Sequence, residues 1–238
     1  MPTRLPSLRQ PPLGFAHRGA RAHAPENTLE AFTLARRLGA TGLESDVWIT
    51  ADGQAVLDHD GVVRRGLVRR TPISAVRRED LPEHIPTLAQ LYETVGPVDL
   101  SLDVKDAAAF GEVIAVATDV GEEALSRLWL CHPDLDVLVG WRERCRAVRL
   151  VHSTRLRRLP DGPELHAAAL ADAGIDVINL HHSEWNGGLV TLYHRFGIWC
   201  FGWDAQHERT LDALLATGID AVYSDHVDRM VDALARLG

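Results

Sequence analysis

The chain has 238 residues, a formal net charge of −8 and 46% hydrophobic residues. This length is enough to bury one sizeable core, so we expect a single domain over residues 1–238. The net negative charge argues against nucleic acid as a partner, because that binding mode needs a basic surface. No transmembrane segment or signal peptide is recognisable, so we expect a cytoplasmic protein with a small-molecule substrate.

Short β-type runs alternate with helix-type stretches along the chain. The predicted strands cover residues 13–18, 41–49, 98–105, 127–132, 147–152, 176–182, 197–203 and 220–225. The predicted helices cover residues 27–39, 87–96, 107–121, 133–145, 163–174, 187–197, 207–218 and 227–238. Repeated strand and helix units with short connections indicate parallel strands, and eight of them favour a TIM (β/α)8 barrel over an open doubly wound sheet.

A long connection follows the second predicted strand. Within it, "ADGQAVLDHDG" at residues 51–61 predicts a tight turn and a small extra strand beside the second barrel strand. A loop of this length in a compact domain is more often functional than not. The arginine-rich stretch at residues 61–80 is interpreted as a solvated surface rather than as part of a substrate site.

Ionisable or aromatic residues occur where the predicted strands end. They are His17, Arg18, Glu44, Asp46, Asp103, Lys105, His132, His152, His181, His182, Trp203, Asp204 and Asp225. In a barrel, side chains at the carboxyl ends of the strands surround the active site. The pattern therefore predicts a polar site at that rim.

The spacing of two pairs of charged residues indicates where their side chains point. Glu44 and Asp46 are two residues apart, as are Asp103 and Lys105, so each pair shares a face of its strand. We expect these faces to point to the barrel axis, where oxygen donors would hold Mg²⁺ or Ca²⁺. The alternative is a cluster of salt bridges between the same carboxylates and Arg18 and Lys105.

The motifs HRG, PENT, E-x-D, T-x-D-G and HD occur in this order within residues 17–60. Together they resemble the glycerophosphodiester phosphodiesterase family. The resemblance continues more weakly through "IPTLAQL" (85–91), the "SLDVK" strand, a seventh strand that contains tryptophan, and "TGIDAVYSDHVDRM" (217–230). It covers most of the chain and implies a metal-dependent phosphodiesterase on a TIM barrel.

The resemblance also implies roles for individual residues. His17 and His59 match the acid and base pair, and Arg18 matches the phosphate-binding arginine. The expected metal ligands are Glu44, Asp46 and Asp103. The expected substrate-binding residues beside Arg18 are Lys105, Asn27 and Trp203. Glu26 is expected to support the loop before the first helix.

Three departures from the family pattern concern the substrate. Asp103 stands where the family commonly has glutamate, and "WDAQ" from Trp203 stands where it commonly has W-T-x-N, so Asp204 adds a negative charge. The segment after the HD motif is short, with little of the capping insertion seen in many relatives.

The leading hypothesis is hydrolysis of glycerophosphodiesters, such as glycerophosphocholine or glycerophosphoethanolamine, to glycerol 3-phosphate and an alcohol. Both direct hydrolysis and a route through a cyclic phosphate stay open. One alternative is a lysophospholipase D-type activity, which needs an apolar groove from residues such as Trp48, Trp185, Phe201 and Trp203. Another is a catalytically silent barrel that binds phosphoglycerol.

Overall fold

The computed structural model describes residues 4–65 and 69–237, with backbone only at Arg65 and Arg69. The strands are β1 (Leu13–Ala16), β2 (Gly42–Ile49), β3 (Ala55–Leu57), β4 (Val62–Arg65), β5 (Arg69–Pro72), β6 (Asp99–Val104), β7 (Leu128–His132), β8 (Arg149–Ser153), β9 (Val177–His181), β10 (Trp199–Trp203) and β11 (Ala221–Ser224). The helices are α1 (Leu29–Arg37), α2 (Leu88–Val95), α3 (Phe110–Val120), α4 (Glu122–Ser126), α5 (Leu135–Arg144), α6 (Gly162–Asp172), α7 (Gly187–Arg195), α8 (Glu208–Ala216) and α9 (Val227–Ala235).

Eight parallel strands close into a barrel. Their order is β1, β2, β6, β7, β8, β9, β10 and β11, and β1 pairs with both β2 and β11. The predicted TIM barrel is therefore confirmed, and all eight predicted strands belong to it. Within the described residues, no helix is long and apolar enough to cross a membrane.

The predicted helices are also present, and one short helix, α4, was not predicted. The helix predicted over 107–121 begins as a 3-10 turn at Ala107–Ala109 and continues as α3. Gly121, with φ of 129°, ends α3, and the short helix α4 follows directly. Such a backbone angle is accessible mainly to glycine, so the chain changes direction there.

The long connection after β2 adds two small elements to the barrel. Strand β3 pairs antiparallel with the end of β2, which confirms the predicted extra strand. Strands β4 and β5 form a separate hairpin that the sequence did not predict. Arg64, Arg70 and Arg77 are exposed, as expected for a solvated surface.

Two apolar layers fill the barrel and its surroundings. Leu43, Leu102 and Val104 belong to the layer between the barrel and the helices, because they alternate with the charged residues that face the barrel axis. A second cluster lies inside the barrel, where the rings of Phe15 and Tyr223 stack with centroids 4.9 Å apart. Aromatic side chains thus fill the lower barrel, and the open space lies above them at the carboxyl ends of the strands.

Candidate active site

A cavity of about 410 Å³ opens at the carboxyl ends of the barrel strands. The described residues that line it are His17, Arg18, Arg21, Glu44, Ser101, Asp103, Cys131, Ser153, Asn179, Trp203, Asp204, Gln206 and Tyr223. The Ser101 hydroxyl lies 2.9 Å from Tyr223 Oη and 3.3 Å from Cys131 Sγ. Burial raises the pKa of the Cys131 thiol and of the Tyr223 hydroxyl, so both groups are neutral.

His17 follows β1 and lies between two carboxylates. Its Nδ1 is 2.5 Å from Asp225 Oδ1, and its Nε2 is 3.8 Å from Glu44 Oε2. Burial lowers the pKa of His17, but Glu44 and Asp225 outweigh burial, so the pKa of His17 is raised overall. Arg21 also contacts Asp225, with Nη1 3.3 Å from Oδ2. His17 is therefore oriented by one carboxylate and is stabilised in its protonated form.

Arg18 joins the loop after β1 to the carboxylates of β2. Its backbone N–H donates to Glu44 Oε2 at 2.9 Å, and its guanidinium Nε lies 3.2 Å from Asp46 Oδ2. Nη1 of the same guanidinium donates to both oxygens of Glu26 at 3.1 Å. Glu26 also lies 2.6 Å from Arg21 Nε, so it supports the loop as expected.

Asn27 positions the Asp46 carboxylate through a hydrogen bond. Its Nδ2 donates to Asp46 Oδ2 at 3.3 Å, while its Oδ1 accepts from the Ser45 hydroxyl at 2.7 Å. Asn27 is buried and is not among the described residues that line the cavity. Both Arg18 and Asn27 have positive φ, 50° and 56° respectively. Each such residue costs on the order of 1–3 kcal/mol, and strain of this kind is typical of functional sites.

The three predicted metal ligands lie on two neighbouring strands. Asp46 on β2 is directly opposite Asp103 on β6, and Glu44 is opposite Ser101. The Lys105 ammonium donates to Asp103 and lies 3.0 Å from Asp46 Oδ1. The salt bridges of the alternative interpretation are therefore formed, with Lys105 between two of the carboxylates.

The donor atoms of Glu44, Asp46 and Asp103 are not gathered around one point. The described residues contain three groups of possible ligands whose donor atoms all lie within 4.8 Å of one another, and these three carboxylates are not among them. Burial raises the pKa of Glu44 to about 7, and the charges of Asp46 and Asp103 add to this effect. The oxygen donors suit a hard cation, which would relieve this concentration of negative charge.

His59 lies in the loop that follows β3. The neighbouring Asp58 anchors this loop, because its N–H donates to the Asp46 carbonyl at 3.1 Å and its own carbonyl accepts from Trp48 Nε1 at 2.8 Å. The His59 side chain is 41% exposed, and its Nδ1 lies 2.9 Å from Asp60 Oδ1. His59 is not among the described residues that line the cavity.

A family profile described as "Glycerophosphoryl diester phosphodiesterase family" matches residues 17–124, the part of the chain that contains His17, Arg18, both β2 carboxylates and Lys105. A relative from Caldanaerobacter subterraneus subsp. tengcongensis, named glycerophosphodiester phosphodiesterase, is 23% identical over 95% of this chain and 99% of its own length. The chain is similar to this family over most of its length.

Solved structures of phosphodiesterases share the fold of this chain. A glycerophosphodiester phosphodiesterase from Thermotoga maritima matches with a TM-score of 0.79 at 23% identity, over 92% of this chain and 97% of that one. An Oleispira antarctica phosphodiesterase, solved in complex with the product sn-glycerol-3-phosphate, matches with a TM-score of 0.81 at 22% identity, over 94% and 97% of the two chains. At these identities the likeness establishes the barrel.

Trp203 lies at the cavity, and the other three aromatic residues considered for an apolar groove do not. Trp203 lines the cavity, with the Arg155 guanidinium 4.5 Å above its ring centroid. Trp185 and Phe201 are buried in the core, and Trp48 packs against the cluster under the β4–β5 hairpin. These four residues thus form no continuous apolar groove.

Several residues to which the sequence had given no individual role contribute to the candidate site. Asp225 is the clearest, since it orients His17, and its position at a strand end was the available signal. Gln206 supports Asp225, because its Oε1 accepts from the Asp225 N–H at 2.8 Å. Asn179 and Ser153 line the cavity as neutral residues without a charge that would have drawn attention to them.

Proposed function

We propose that this protein is a metal-dependent phosphodiesterase that hydrolyses glycerophosphodiesters to glycerol 3-phosphate and an alcohol, and that residues 1–238 act as one domain. The observation that carries this proposal is the cavity lined by His17, Glu44 and Arg18, in which His17 is paired with Asp225 and lies beside Glu44. The family's motifs supply these groups, and the reaction requires each of them. A phosphodiester needs its leaving oxygen protonated, its attacking oxygen deprotonated and its phosphate charge neutralised.

We assign the charged residues of the cavity to the phosphate. Arg18 lines the cavity, and Lys105 lines an adjoining depression that shares Asp103 and Ser153 with it. Both cations are held by carboxylates, Arg18 by Glu26 and Asp46 and Lys105 by Asp46 and Asp103. Fixed positive charge at a developing phosphate anion is the largest single contribution in many sites of this kind.

Glu44, Asp46 and Asp103 would hold one Mg²⁺ or Ca²⁺ ion. When bound, the ion supplies positive charge to the phosphate oxygens and polarises the phosphorus centre. Lys105 contacts Asp46 and Asp103, two of the three residues that would hold the ion. We infer that its ammonium would contact the substrate phosphate beside this site.

We assign proton transfer to the two histidines. The raised pKa of His17 suits a general acid, because the group keeps its proton close to neutral pH. The Asp225 carboxylate accepts a hydrogen bond from Nδ1–H of His17. The proton on Nε2 is then the one that His17 donates to the leaving oxygen. We assign His59 as the base. Because its side chain is exposed and its loop is anchored by Asp58, a side-chain rotation rather than a loop movement would bring it to the substrate.

The first experiment measures alcohol release from glycerophosphocholine and glycerophosphoethanolamine in Mg²⁺ or Ca²⁺, before and after chelation. We expect turnover that chelation abolishes and metal restores. Lysophosphatidylcholine is included, because faster turnover of this lipid would establish the lysophospholipase D-type alternative instead. No metal-stimulated turnover of any of these substrates would overturn the proposal in favour of a silent binding barrel.

The second experiment replaces the two histidines separately. His17→Ala and His59→Ala are each expected to lower kcat by about 10²-fold or more, as expected for loss of a general acid or base. His84→Ala is a suitable control, because His84 is exposed and is not among the residues that line the described cavity. Thermal unfolding of all three variants separates loss of chemistry from loss of the fold.

A further inference from the structure

Three clusters in the described chain bring histidines together with a carboxylate or a thiol. They are His23, His226 and Asp228; His181, His182 and Asp204; and His194, Cys200 and Asp220. The last cluster has a structural explanation. Asp220 is fully buried and accepts from the backbone N–H groups of Leu8, Arg9 and Cys200 and from His194, so its oxygens are already used.

The second cluster lies at the rim of the barrel. His181 ends β9, His182 follows it, and Asp204 follows β10, the neighbouring strand. We propose that His181, His182 and Asp204 form a second metal site, which binds Zn²⁺ and is separate from the oxygen-donor site of the phosphodiesterase. The site goes beyond the proposed function and does not depend on it.

The distances in the cluster match a zinc site. His181 Nε2 and Asp204 Oδ2 are 3.1 Å apart, and the donor atoms of all three residues lie within 4.8 Å of one another. Two ligands of a tetrahedral zinc ion, each about 2.0–2.1 Å from the metal, are separated by roughly 3.3 Å. The His181 and Asp204 side chains already have this spacing, and the His182 ring lies 4.3 Å from the His181 ring between centroids.

Ser183 fixes the orientation of the His181 ring. The His181 Nδ1 accepts from the Ser183 backbone N–H at 3.3 Å and lies 2.7 Å from the Ser183 hydroxyl, so Nε2 carries the proton and donates it to Asp204 Oδ2. A metal at Nε2 would require the other tautomer, in which Nδ1 carries the proton and donates to Ser183 Oγ. Zinc-bound histidines almost always donate their other ring nitrogen in this way, which fixes the tautomer.

The backbone conformation and hydrogen bonds of Asp204 place its carboxylate beside His181. The Asp204 φ of 64° lies in the left-handed region, and Oδ1 accepts from Gln206 Nε2 at 3.2 Å while Oδ2 lies against His181. Metal binding would require His181 to carry its proton on Nδ1 rather than Nε2, and Oδ2 would then exchange the imidazole N–H for the ion. The side chain is 48% exposed, so water can complete the coordination.

The donor set distinguishes this site from the carboxylate site. Two imidazoles and one carboxylate favour Zn²⁺ over Mg²⁺ or Ca²⁺, whereas the set of Glu44, Asp46 and Asp103 favours the hard cations. The cluster of His23, His226 and Asp228 has a similar donor set but is less suitable. Its histidine rings are 6.0 Å apart, and the side chain of His23 is 34% exposed against 17% for His181.

The test is a calorimetric titration of the full chain, without an affinity tag, with Zn²⁺ in excess Mg²⁺ that occupies the carboxylate site. We expect one zinc ion per chain for the wild-type protein. His182→Ala and Asp204→Asn should each weaken binding by about tenfold or more, and Ser183→Ala should weaken it by about tenfold. His23→Ala and Asp103→Asn are the controls and should leave zinc affinity unchanged.

Co²⁺ provides a second readout that does not depend on affinity alone. In the wild-type protein, Co²⁺ should give the visible absorption of a four-coordinate site with nitrogen ligands, and Asp204→Asn should change this spectrum while the unfolding temperature of the metal-free protein stays the same. Absence of stoichiometric zinc binding would overturn the proposal. Zinc binding that survives His182→Ala but is lost in His23→Ala would also overturn it, because the ion would then occupy the other cluster.

Discussion

The imidazole of His17 and the carboxylate of Asp225 are 2.5 Å apart between Nδ1 and Oδ1, although 208 positions separate the two residues in the sequence. Strands β1 and β11 are neighbours in the barrel, with Ala16 opposite Ser224, so the residues that follow them meet at the rim. Gln206 then holds the backbone of Asp225. The first and last strands of the barrel therefore build the central pair of the proposed catalytic site.

Replacing Asp225 with asparagine is expected to lower kcat by about 10²-fold with little change in KM. The amide loses the negative charge that stabilises protonated His17, and its NH₂ group can turn the imidazole to the wrong tautomer. Steady-state kinetics on glycerophosphocholine measure this effect. The matched control is Asp228→Asn, a carboxylate in the first turn of α9 that pairs with the more exposed His23. Equal kcat values for wild type and Asp225→Asn would show that Asp225 is dispensable.

Lys105 is the one lysine of the sequence, and its ammonium lies between Asp46 and Asp103. Lys105→Arg is expected to lower kcat/KM by about tenfold or more. The guanidinium is wider and binds carboxylates in a bidentate way, so it would compete with the metal and reach the phosphate with different geometry. The measurement is kcat/KM at saturating metal together with the metal concentration that gives half-maximal activity. Arg70→Lys on the exposed hairpin is the control, and unchanged kinetics of Lys105→Arg would contradict the assignment.

Gly61 lies just after His59 and packs against Trp48. A Cβ at Gly61, where φ is 67°, would lie 2.3 Å from the Trp48 ring, whereas a Cβ at Gly53, where φ is 81°, would meet no atom within 4 Å. Gly53→Ala should therefore cost only the backbone strain, about 1–2 kcal/mol of unfolding free energy. Gly61→Ala should cost about 1–3 kcal/mol more, because the Trp48 ring must move.

The same pair of variants tests how the His59 loop is held. Trp48 Nε1 donates to the carbonyl of Asp58, so displacement of its ring should disturb the loop and lower kcat in Gly61→Ala but not in Gly53→Ala. Denaturant unfolding and kinetics on both proteins provide the comparison. If the two variants behave alike, the contact between Gly61 and Trp48 does not position His59.

A chain of hydrogen bonds through His152, His166 and Tyr193 makes the free energy of unfolding depend on pH. His152 Nε2 lies 3.1 Å from the Pro133 carbonyl, His152 Nδ1 lies 2.9 Å from His166 Nε2, and His166 Nδ1 lies 2.9 Å from the Tyr193 hydroxyl. Burial, with a contribution from His152, lowers the pKa of His166 to about 4, and burial lowers the pKa of His152 as well. Both rings are therefore neutral in the folded protein at pH 7.

Because the pKa of His166 is lower in the folded chain than the usual 6.5, the unfolded chain binds more protons between these values. The contribution of neutral His166 to the free energy of unfolding is complete above pH 6.5 and is lost as the pH falls toward 4. Allowing for partial exposure, the loss is about 1–2 kcal/mol. Urea unfolding at pH 7 and pH 4.5 should show a smaller pH effect in His166→Gln than in the wild type or in the exposed control His84→Gln. An equal effect in all three proteins would contradict this account.

Much of the fold follows from local pattern. Alternating apolar residues such as Leu43, Leu102 and Val104 identify the strands and the faces that pack under the helices. The same alternation correctly placed Glu44 and Asp103 in the wall of the cavity. Local pattern was insufficient after Gly121, where the short helix α4 was not predicted. The β4–β5 hairpin was also missed, because its arginine-rich strands have little apolar alternation.

The sequence by itself determined the strand and helix order, the family motifs and the residue types of the site, because periodicity and motif spacing are local properties. The tertiary structure decided which groups meet. Closure of the barrel brought Asp225 to His17, and packing placed Lys105 between Asp46 and Asp103 and left the His59 side chain exposed. These contacts join residues on different strands, and their distances and the resulting shifts in pKa depend on burial and neighbouring charge, which no local stretch of sequence specifies.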